Sequence, residues 1–331
     1  MNFRQQALVF IVLFPVIYLI LTVYMSQTQN IVRKHLKYIL PHVKPVIVQL
    51  SNTVWVYSAY LENTNDGDNM TTVTVFSVAD EAIKTELSEC GIESGTGETV
   101  LGVVTISKIE DRYRLQYDLW RVFCTCDTVI RHPVQVTLYT STTNHTVPLY
   151  QGQYAGMVGC CLAGPLWREG AGDKGVMDII SWVEYQRMMG VEKILVYAMK
   201  QGKNTQAVLD YYVSEGVLDV THWDFPISNK NFRYYGQNLL INDCLYRSRY
   251  LFNYTLFIDL DEIVVPALHD NLTDLLDNIT DDKVSAYGLT NRFHHTHWRV
   301  PHTSLQALYP SLSRIPVIPQ ALLTLIIYCL L

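Results

Sequence analysis

Two aspartates one residue apart, Asp259 and Asp261, follow the apolar run Thr255-Leu256-Phe257-Ile258, and Glu262, Ile263, Val264, Val265 and Pro266 come next. The run has the length and composition of a buried strand. A strand that ends in acid presents carboxylates at the sheet edge where α/β proteins bind ligands. Carboxylate oxygen suits a hard cation such as Mn²⁺ or Mg²⁺. Such an ion can hold a diphosphate and stabilise it as a leaving group. The same spacing also describes a strand followed by an acidic turn with no metal. A second group, His294, His295, His297 and His302 with Trp298, invites a zinc reading. Zinc needs convergent ligands at characteristic spacings. Neighbouring strand residues face opposite ways, so His295 and His297 can share a face but His294 and His295 cannot. The glycines at Gly91, Gly95, Gly97 and Gly102 lack the Gly-Lys-Ser/Thr of a phosphate loop, so they read as turns.

The acids need a scaffold, and from about residue 156 the pattern alternates between helix and strand. Asp178 to Met189 is apolar over a broad helical face and stops at Gly190. Ile194 to Ala198 reads as a buried strand, Thr205 to Val213 as a short helix with Gly216 beyond it, and Leu218 to Trp223 as a strand. Gly236 to Arg249 reads as a helix feeding the strand that ends at Asp259. That succession predicts an α/β fold with a mainly parallel sheet and the acids at its carboxyl edge. Residues 53 to 150 instead read as strand-rich, with Val54 to Tyr60, Thr72 to Phe76 and Val134 to Tyr139 patterned in the β manner.

The chain has 331 residues, enough for one large or two modest domains. A net charge of −6 gives no basic surface of the kind a nucleic-acid binder needs. Ala7 to Met25 is an almost unbroken apolar run, long enough to approach a bilayer crossing, and it ends at Tyr24-Met25-Ser26-Gln27, a poor cleavage site. The expectation is a single uncleaved membrane anchor at 7–25, with a cytoplasmic tail at 1–6 and a stem at 26–50. Arg33, Lys34 and Lys37 after the span argue for the opposite orientation. Five N-x-Ser/Thr sequons, at Asn69, Asn144, Asn253, Asn271 and Asn278, favour a lumenal body. In that compartment some of the seven cysteines pair, and the odd count leaves at least one unpaired within the chain.

Several motifs in order resemble glycosyltransferase family 92. They are Val56-Tyr57-Ser58-Ala59-Tyr60-Leu61, Cys161 through Pro165-Leu166, Trp182-Val183-Glu184-Tyr185 with Gly190-Val191-Glu192-Lys193, Tyr235-Gly236-Gln237 with Asn242 to Arg247, and Phe257 to Glu262 with Val265-Pro266. The resemblance covers roughly 50 to 300. It implies a GT-A-like nucleotide-sugar fold over 156–310, behind a β-rich part at 51–150, in a type II Golgi membrane protein. It further implies transfer of a hexose, galactose in particular, from a UDP-sugar donor to a glycan acceptor. Asp259 and Asp261 correspond to the family's DxD-type metal motif and would hold Mn²⁺ or Mg²⁺ across the diphosphate. Asp259 and Glu262 are then donor contacts, and Glu262 orients a ligand or caps the turn. Asp243 either approaches the donor's base or ribose or pairs with Arg247 on its own helix. Lys174 and Arg168 are phosphate contacts or ordinary solvated charges.

The pattern departs from the family after about Thr303, and an apolar tail, 311–331, ends the chain. Transfer with inversion needs a base to take the acceptor proton. Asp281 and Asp282 are candidates by acidity alone. A truncated, inactive lumenal family member is therefore one alternative. A second is a haloacid-dehalogenase-like phosphatase, in which Asp259 would attack phosphate and Asp261 act as acid/base. That motif normally opens a domain, and here it lies late in the chain.

Overall fold

The computed structural model describes residues 45, 47–62, 69–109, 116–141, 143–166, 173–224, 226–227, 231–266, 268–279, 284–290 and, in backbone alone, 324–329. The expected anchor at 7–25, its flanking tail, most of the stem, Arg168, Asp281, Asp282, Trp298 and the histidines from His294 to His302 lie outside these residues, as does the side chain of Lys174. Among the described residues no helix is long and apolar enough to cross a membrane.

Residues from Val48 to Pro148 form β1 (Val48–Gln49), β2 (Val54–Leu61), β3 (Thr71–Ala79), the single turn α1 (Ile83–Glu86), β4 (Glu89–Ser94), β5 (Thr99–Ile109), β6 (Asp118–Cys126), β7 (Pro133–Tyr139) and β8 (Asn144–Pro148). They make one antiparallel sheet in the order β1-β2-β3-β6-β5-β4-β7-β8. The sheet curls until its ends approach, where Ala59 bridges Leu149 and the Tyr150 N–H donates to the Ala59 carbonyl at 2.9 Å. Val54, Val56, Val73, Val75, Trp120, Val122 and Val136 fill the inside of the curl. A bulge between Val56 and Ser58 shifts the register of β2. Beyond it Ala59 still packs inside, while Tyr57 and Tyr60 face outward.

Two of the glycines read as turns are strand residues. Gly91 lies in β4 opposite Leu101, and Gly102 lies in β5 opposite Cys90. A Cβ on Gly102 would stand 2.7 Å from the Thr125 carbonyl oxygen, and one on Gly91 would meet Thr99 and Tyr139 at 2.9 Å. The neighbouring chain, not a reversal, requires glycine there. Gly97, at φ +84°, is a turn glycine as expected.

The second half contains β9 (Gly156–Leu162), α2 (Asp173–Met188), β10 (Lys193–Ala198), α3 (Lys203–Ser214), β11 (Leu218–His222), α4 (Gln237–Ser248), β12 (Phe252–Ile258), α5 (Leu272–Ile279), β13 (Ala286–Thr290) and β14 (Thr324–Cys329). The sheet order is β11-β10-β9-β12-β14-β13, with β9 to β12 parallel and β14 antiparallel to both its neighbours. The expected parallel sheet is present, and the apolar tail contributes a strand to it. Helix α2 begins five residues before the expected Asp178, because Asp173 and Gly175 form its first turn. Both α2 and α3 stop at the predicted glycines. Gly190 and Gly216 are left-handed, and the following amides of Val191 and Val217 reach back to the Gln186 and Tyr212 carbonyls.

Strand alternation divides the second half between two cores. Val158, Cys160, Ile194, Val196, Leu256 and Ile258 pack toward α2, α3 and α5. Cys161, Leu195, Tyr197 and Phe257 point the other way and meet α4 together with Tyr57, Tyr60, Phe76, Val78 and Leu119 of the curled sheet. The helix α4 therefore lies between two sheets, and both halves share one core. Disulfides join Cys90 to Cys124 within the curled sheet and Cys161 in β9 to Cys244 in α4. Cys126 and Cys160 are buried thiols.

Candidate functional site at the carboxyl edge of the parallel sheet

Strand β12 lies between β9 and β14, paired with β9 as far as Ile258 opposite Leu162. The Ala163 N–H donates to the Ile258 carbonyl at 2.9 Å, so both strands leave the sheet together. Beyond that point the chain turns sharply. The Glu262 N–H donates to the Asp259 carbonyl at 3.1 Å, and the Asp259 N–H donates to a Glu262 carboxylate oxygen at 3.0 Å. Glu262 is thus tied into the turn by its own carboxylate, while Asp259 and Asp261 are exposed.

Helix α2 holds this turn from below. Trp182 Nε1 donates to the Glu262 carbonyl at 2.9 Å, and Tyr185 Oη donates to the Val264 carbonyl at 2.8 Å. Val264 is buried among Trp182, Ile179 and Leu272. Burial raises the Tyr185 pKa, so its hydroxyl keeps the donated proton at neutral pH. Each bond satisfies a main-chain carbonyl that leaving the sheet would otherwise strand.

Other groups converge on the same edge. A Cβ placed on Gly164 would lie 3.8 Å from Asp259 Oδ1 and 3.6 Å from Gln237 Nε2. Gln237, the first residue of α4, donates to the Ala163 carbonyl at 2.8 Å. Glycine thus keeps open the space between the acid and the start of α4. Just before α4 the backbone is left-handed at three successive residues: Tyr234 (φ 45°, ψ 46°), Tyr235 (φ 52°, ψ 33°) and Gly236 (φ 83°, ψ 24°). Trp223, which follows β11, anchors that turn by donating from Nε1 to the Tyr235 carbonyl at 2.7 Å. The edge is therefore lined by the ends of β9, β11 and β12 and by the start of α4, as the crevice rule for open α/β sheets expects.

The Asp259 carboxyl is held above the ordinary range, first by partial desolvation, then by repulsion from Glu262 and Asp261. The residue is exposed overall, with its Oδ1 on the side of Gly164. Among the described residues no group of three or more His, Cys, Asp or Glu is arranged to hold a metal ion. A cation in a nucleotide site takes only one or two protein carboxylates, with phosphate and water supplying the rest. Asp259 and Asp261 are two exposed carboxylates at this edge.

Asp243, the other candidate, sits in the core shared by the two halves with no exposed surface. Its Oδ1 accepts a hydrogen bond from Tyr60 and its Oδ2 one from Tyr197 at 2.5 Å. Burial raises its pKa against the opposing pull of Arg247 and these bonds. Arg247 does not close the expected pair along the helix. It donates to Asp219 at 3.1 Å and to Thr221 at 2.7 Å. Among the sequons, Asn69, Asn144, Asn253 and Asn278 are exposed, whereas Asn271 is half-buried and its Oδ1 caps α5 through the Asp274 N–H at 2.9 Å.

Residues 172–316 match the model of Glycosyltransferase family 92. This match, over less than half of the chain, supports membership of glycosyltransferase family 92. The family 92 segment contains α2 to α5, the acidic turn, Gln237 and Asp243, so the candidate site except the end of β9 with Ala163 and Gly164 falls inside it. It continues past Thr303, where the family pattern was expected to stop, and it begins after the motifs at 56–61 and 161–166 that also resemble the family. No curated protein matches the chain. Sequence reasoning singled out the acids but missed the clamp from α2. Its signal was present in Trp182 and Tyr185, spaced i,i+3 on one helical face.

Proposed function

We propose that this family 92 chain transfers a hexose, galactose in particular, from a UDP-sugar to a glycan acceptor in a GT-A-like arrangement. The observation that carries the reading is the placement of Asp259 and Asp261, exposed at the carboxyl end of a parallel strand beside Gly164 and Gln237. Both acids would hold Mn²⁺ or Mg²⁺, and the ion when bound neutralises the departing diphosphate. Glu262 shapes the turn through the Asp259 N–H instead of adding a ligand. Gly164 leaves room for the donor and Gln237 offers an amide to it. Asp243 supports the crevice from behind by fixing Tyr60 and Tyr197. The two disulfides and the exposed sequons support a Golgi-lumenal body carried by a single type II span.

The test is calorimetric titration of UDP into the full chain with and without Mn²⁺, followed by sugar transfer from a panel of UDP-hexoses. Manganese-dependent UDP uptake that Asp261→Asn abolishes is the expected result. UDP uptake indifferent to Mn²⁺ and to Asp261→Asn refutes the reading.

A further inference from the structure

Gly164 differs from the glycines that precede it in β9. A Cβ on Gly156 would strike the Glu192 carboxylate at 1.6 Å, and one on Gly159 would strike the Phe252 ring at 2.2 Å, so packing dictates both. At Gly164 the nearest described atoms to a Cβ are Gln237 Nε2 at 3.6 Å and Asp259 Oδ1 at 3.8 Å, ordinary contact distances. Its backbone is not left-handed either; that conformation belongs to Gly97, Gly190, Gly216 and Gly236. Alanine would therefore fit the folded chain and restrict the unfolded one. What alanine would fill is the space between the acid and the amide.

The walls of that space are held in place. On one side of Gly164 the Ala163 N–H donates to the Ile258 carbonyl at 2.9 Å, and the Ala163 carbonyl accepts from Gln237 at 2.8 Å. On the other side the Leu166 N–H donates to the Tyr197 carbonyl at 2.7 Å, and the Leu166 carbonyl accepts from Gln201 Nε2 at 2.6 Å. Gly164 is half-buried and Asp259 exposed, so a solute can reach both. The two polar walls are of opposite kind. Gln237 Nε2 carries two hydrogens and donates one of them to Ala163. Asp259 enters its turn through its N–H and carbonyl, which leaves the carboxylate to accept. A small group that accepts from an amide and donates to a carboxylate is a hydroxyl. We infer that Gly164, Gln237 and Asp259 form a slot for a ring hydroxyl of the donor, on the ribose or on the hexose, and that Gly164 admits it by lacking a side chain. Asp259 Oδ2 and Asp261 stay available to the ion. The inference rests on the nucleotide-sugar reading above and deepens it by naming the group recognised beside the acids, as distinct from the diphosphate.

Gly164→Ala separates the slot from the fold. Wild type and variant, as full chains with Mn²⁺ present, are titrated with UDP-galactose, UDP and inorganic pyrophosphate, and each is melted. The variant keeps or raises Tm and keeps its pyrophosphate affinity. Its affinity for UDP-galactose falls by roughly 5- to 150-fold, the usual effect of overpacking by a methyl group. An equal fall for UDP places the ribose in the slot, and an unchanged UDP affinity places the hexose there. Deoxy analogues of that ring are then compared. The one lacking the slot hydroxyl binds wild type more weakly and loses little further to the methyl, which occupies the room the hydroxyl left. A merely structural role for Gly164 would not produce that non-additivity. The inference is overturned if no ligand weakens, if pyrophosphate weakens as much as UDP-galactose, if Tm falls with affinity, or if every deoxy analogue loses as much to the methyl as its parent. Wild-type binding of pyrophosphate alone also overturns it, while leaving the acid pair as a diphosphate site. Wild-type binding of none of the three ends both readings.

Discussion

Tyr185→Phe removes one oxygen and nothing else. Tyr185 is 3% exposed and its ring packs under the acidic turn, so phenylalanine fills the same space. The loss is the 2.8 Å bond to the Val264 carbonyl, and Val264 is itself buried. A neutral hydrogen bond contributes about 1 kcal/mol net, and leaving its buried partner unsatisfied raises the cost to about 1–3 kcal/mol. A total near 2 kcal/mol corresponds to a fall in Tm of roughly 3–4 °C for a body of this size. The same bond fixes the turn that presents Asp259 and Asp261, so its loss also loosens the acids. If about 1 kcal/mol of that cost appears at the site, the Mn²⁺ concentration for half-maximal UDP binding rises about fivefold. Trp182→Phe, which deletes the 2.9 Å bond to the Glu262 carbonyl, should act on the same turn. The double variant should lose less than the two single effects added together, because one loosened turn cannot be loosened twice. Calorimetry with Mn²⁺ and UDP, alongside melting curves, measures all three variants. A fall in Tm with an unchanged Mn²⁺ requirement would refute the claim that α2 holds the acids in place.

Other perturbations have equally definite outcomes. The raised pKa of Asp259 makes this carboxyl bind protons more tightly in the folded than in the unfolded chain. Its contribution is therefore most favourable below the unfolded value of about 3.9 and is lost as pH rises through the folded one. Asp259→Asn should flatten the fall of Tm over that rise, as scanning fluorimetry across mildly acid pH would show. Gly102→Ala drives a methyl to within 2.7 Å of the Thr125 carbonyl oxygen, and this overpacking should cost about 1–3 kcal/mol in a denaturant melt. Cys161→Ser opens a cross-link spanning 83 positions and should destabilise the chain by roughly 3–4 kcal/mol without altering the melting of a reduced sample. Burial pushes the Cys160 thiol far above its usual range, so alkylating reagents should modify Cys160 only after unfolding, as mass spectrometry would report.

The second half of the fold was readable because its signals are local. Gly190 and Gly216 end helices at left-handed positions, and the β10 and β12 runs are long enough to read as buried strands. The curled sheet was less readable. Strand β5 alternates between exposed and half-buried positions, and Leu101 and Val103 are on its exposed face, so no simple apolar-in pattern marks it. Gly91 and Gly102 look like turn residues in sequence, and only the approach of Tyr139 and Thr125 shows why a strand needs them. The acids at 259 and 261 stand out in sequence because an apolar run ends directly in them. The burial of Asp243 was not legible, since Tyr60 lies 183 positions away and Tyr197 46. A helical carboxylate with Arg247 four residues on looks the same whether it faces solvent or two buried phenols.

That long separation also bears on biogenesis. The outer aromatic face of the curled sheet, with Tyr57, Tyr60 and Phe76, is completed by α4, which joins Tyr150 and Trp223 in packing against it. The 183 positions between Tyr60 and Asp243 take about 10–40 s to synthesise at ordinary translation rates. Until then the nascent first half carries a greasy flank that α4 has yet to cover. Ribosome-bound intermediates stalled before α4 should therefore recruit holdase chaperones, and those stalled after α4 and β12 have emerged should release them.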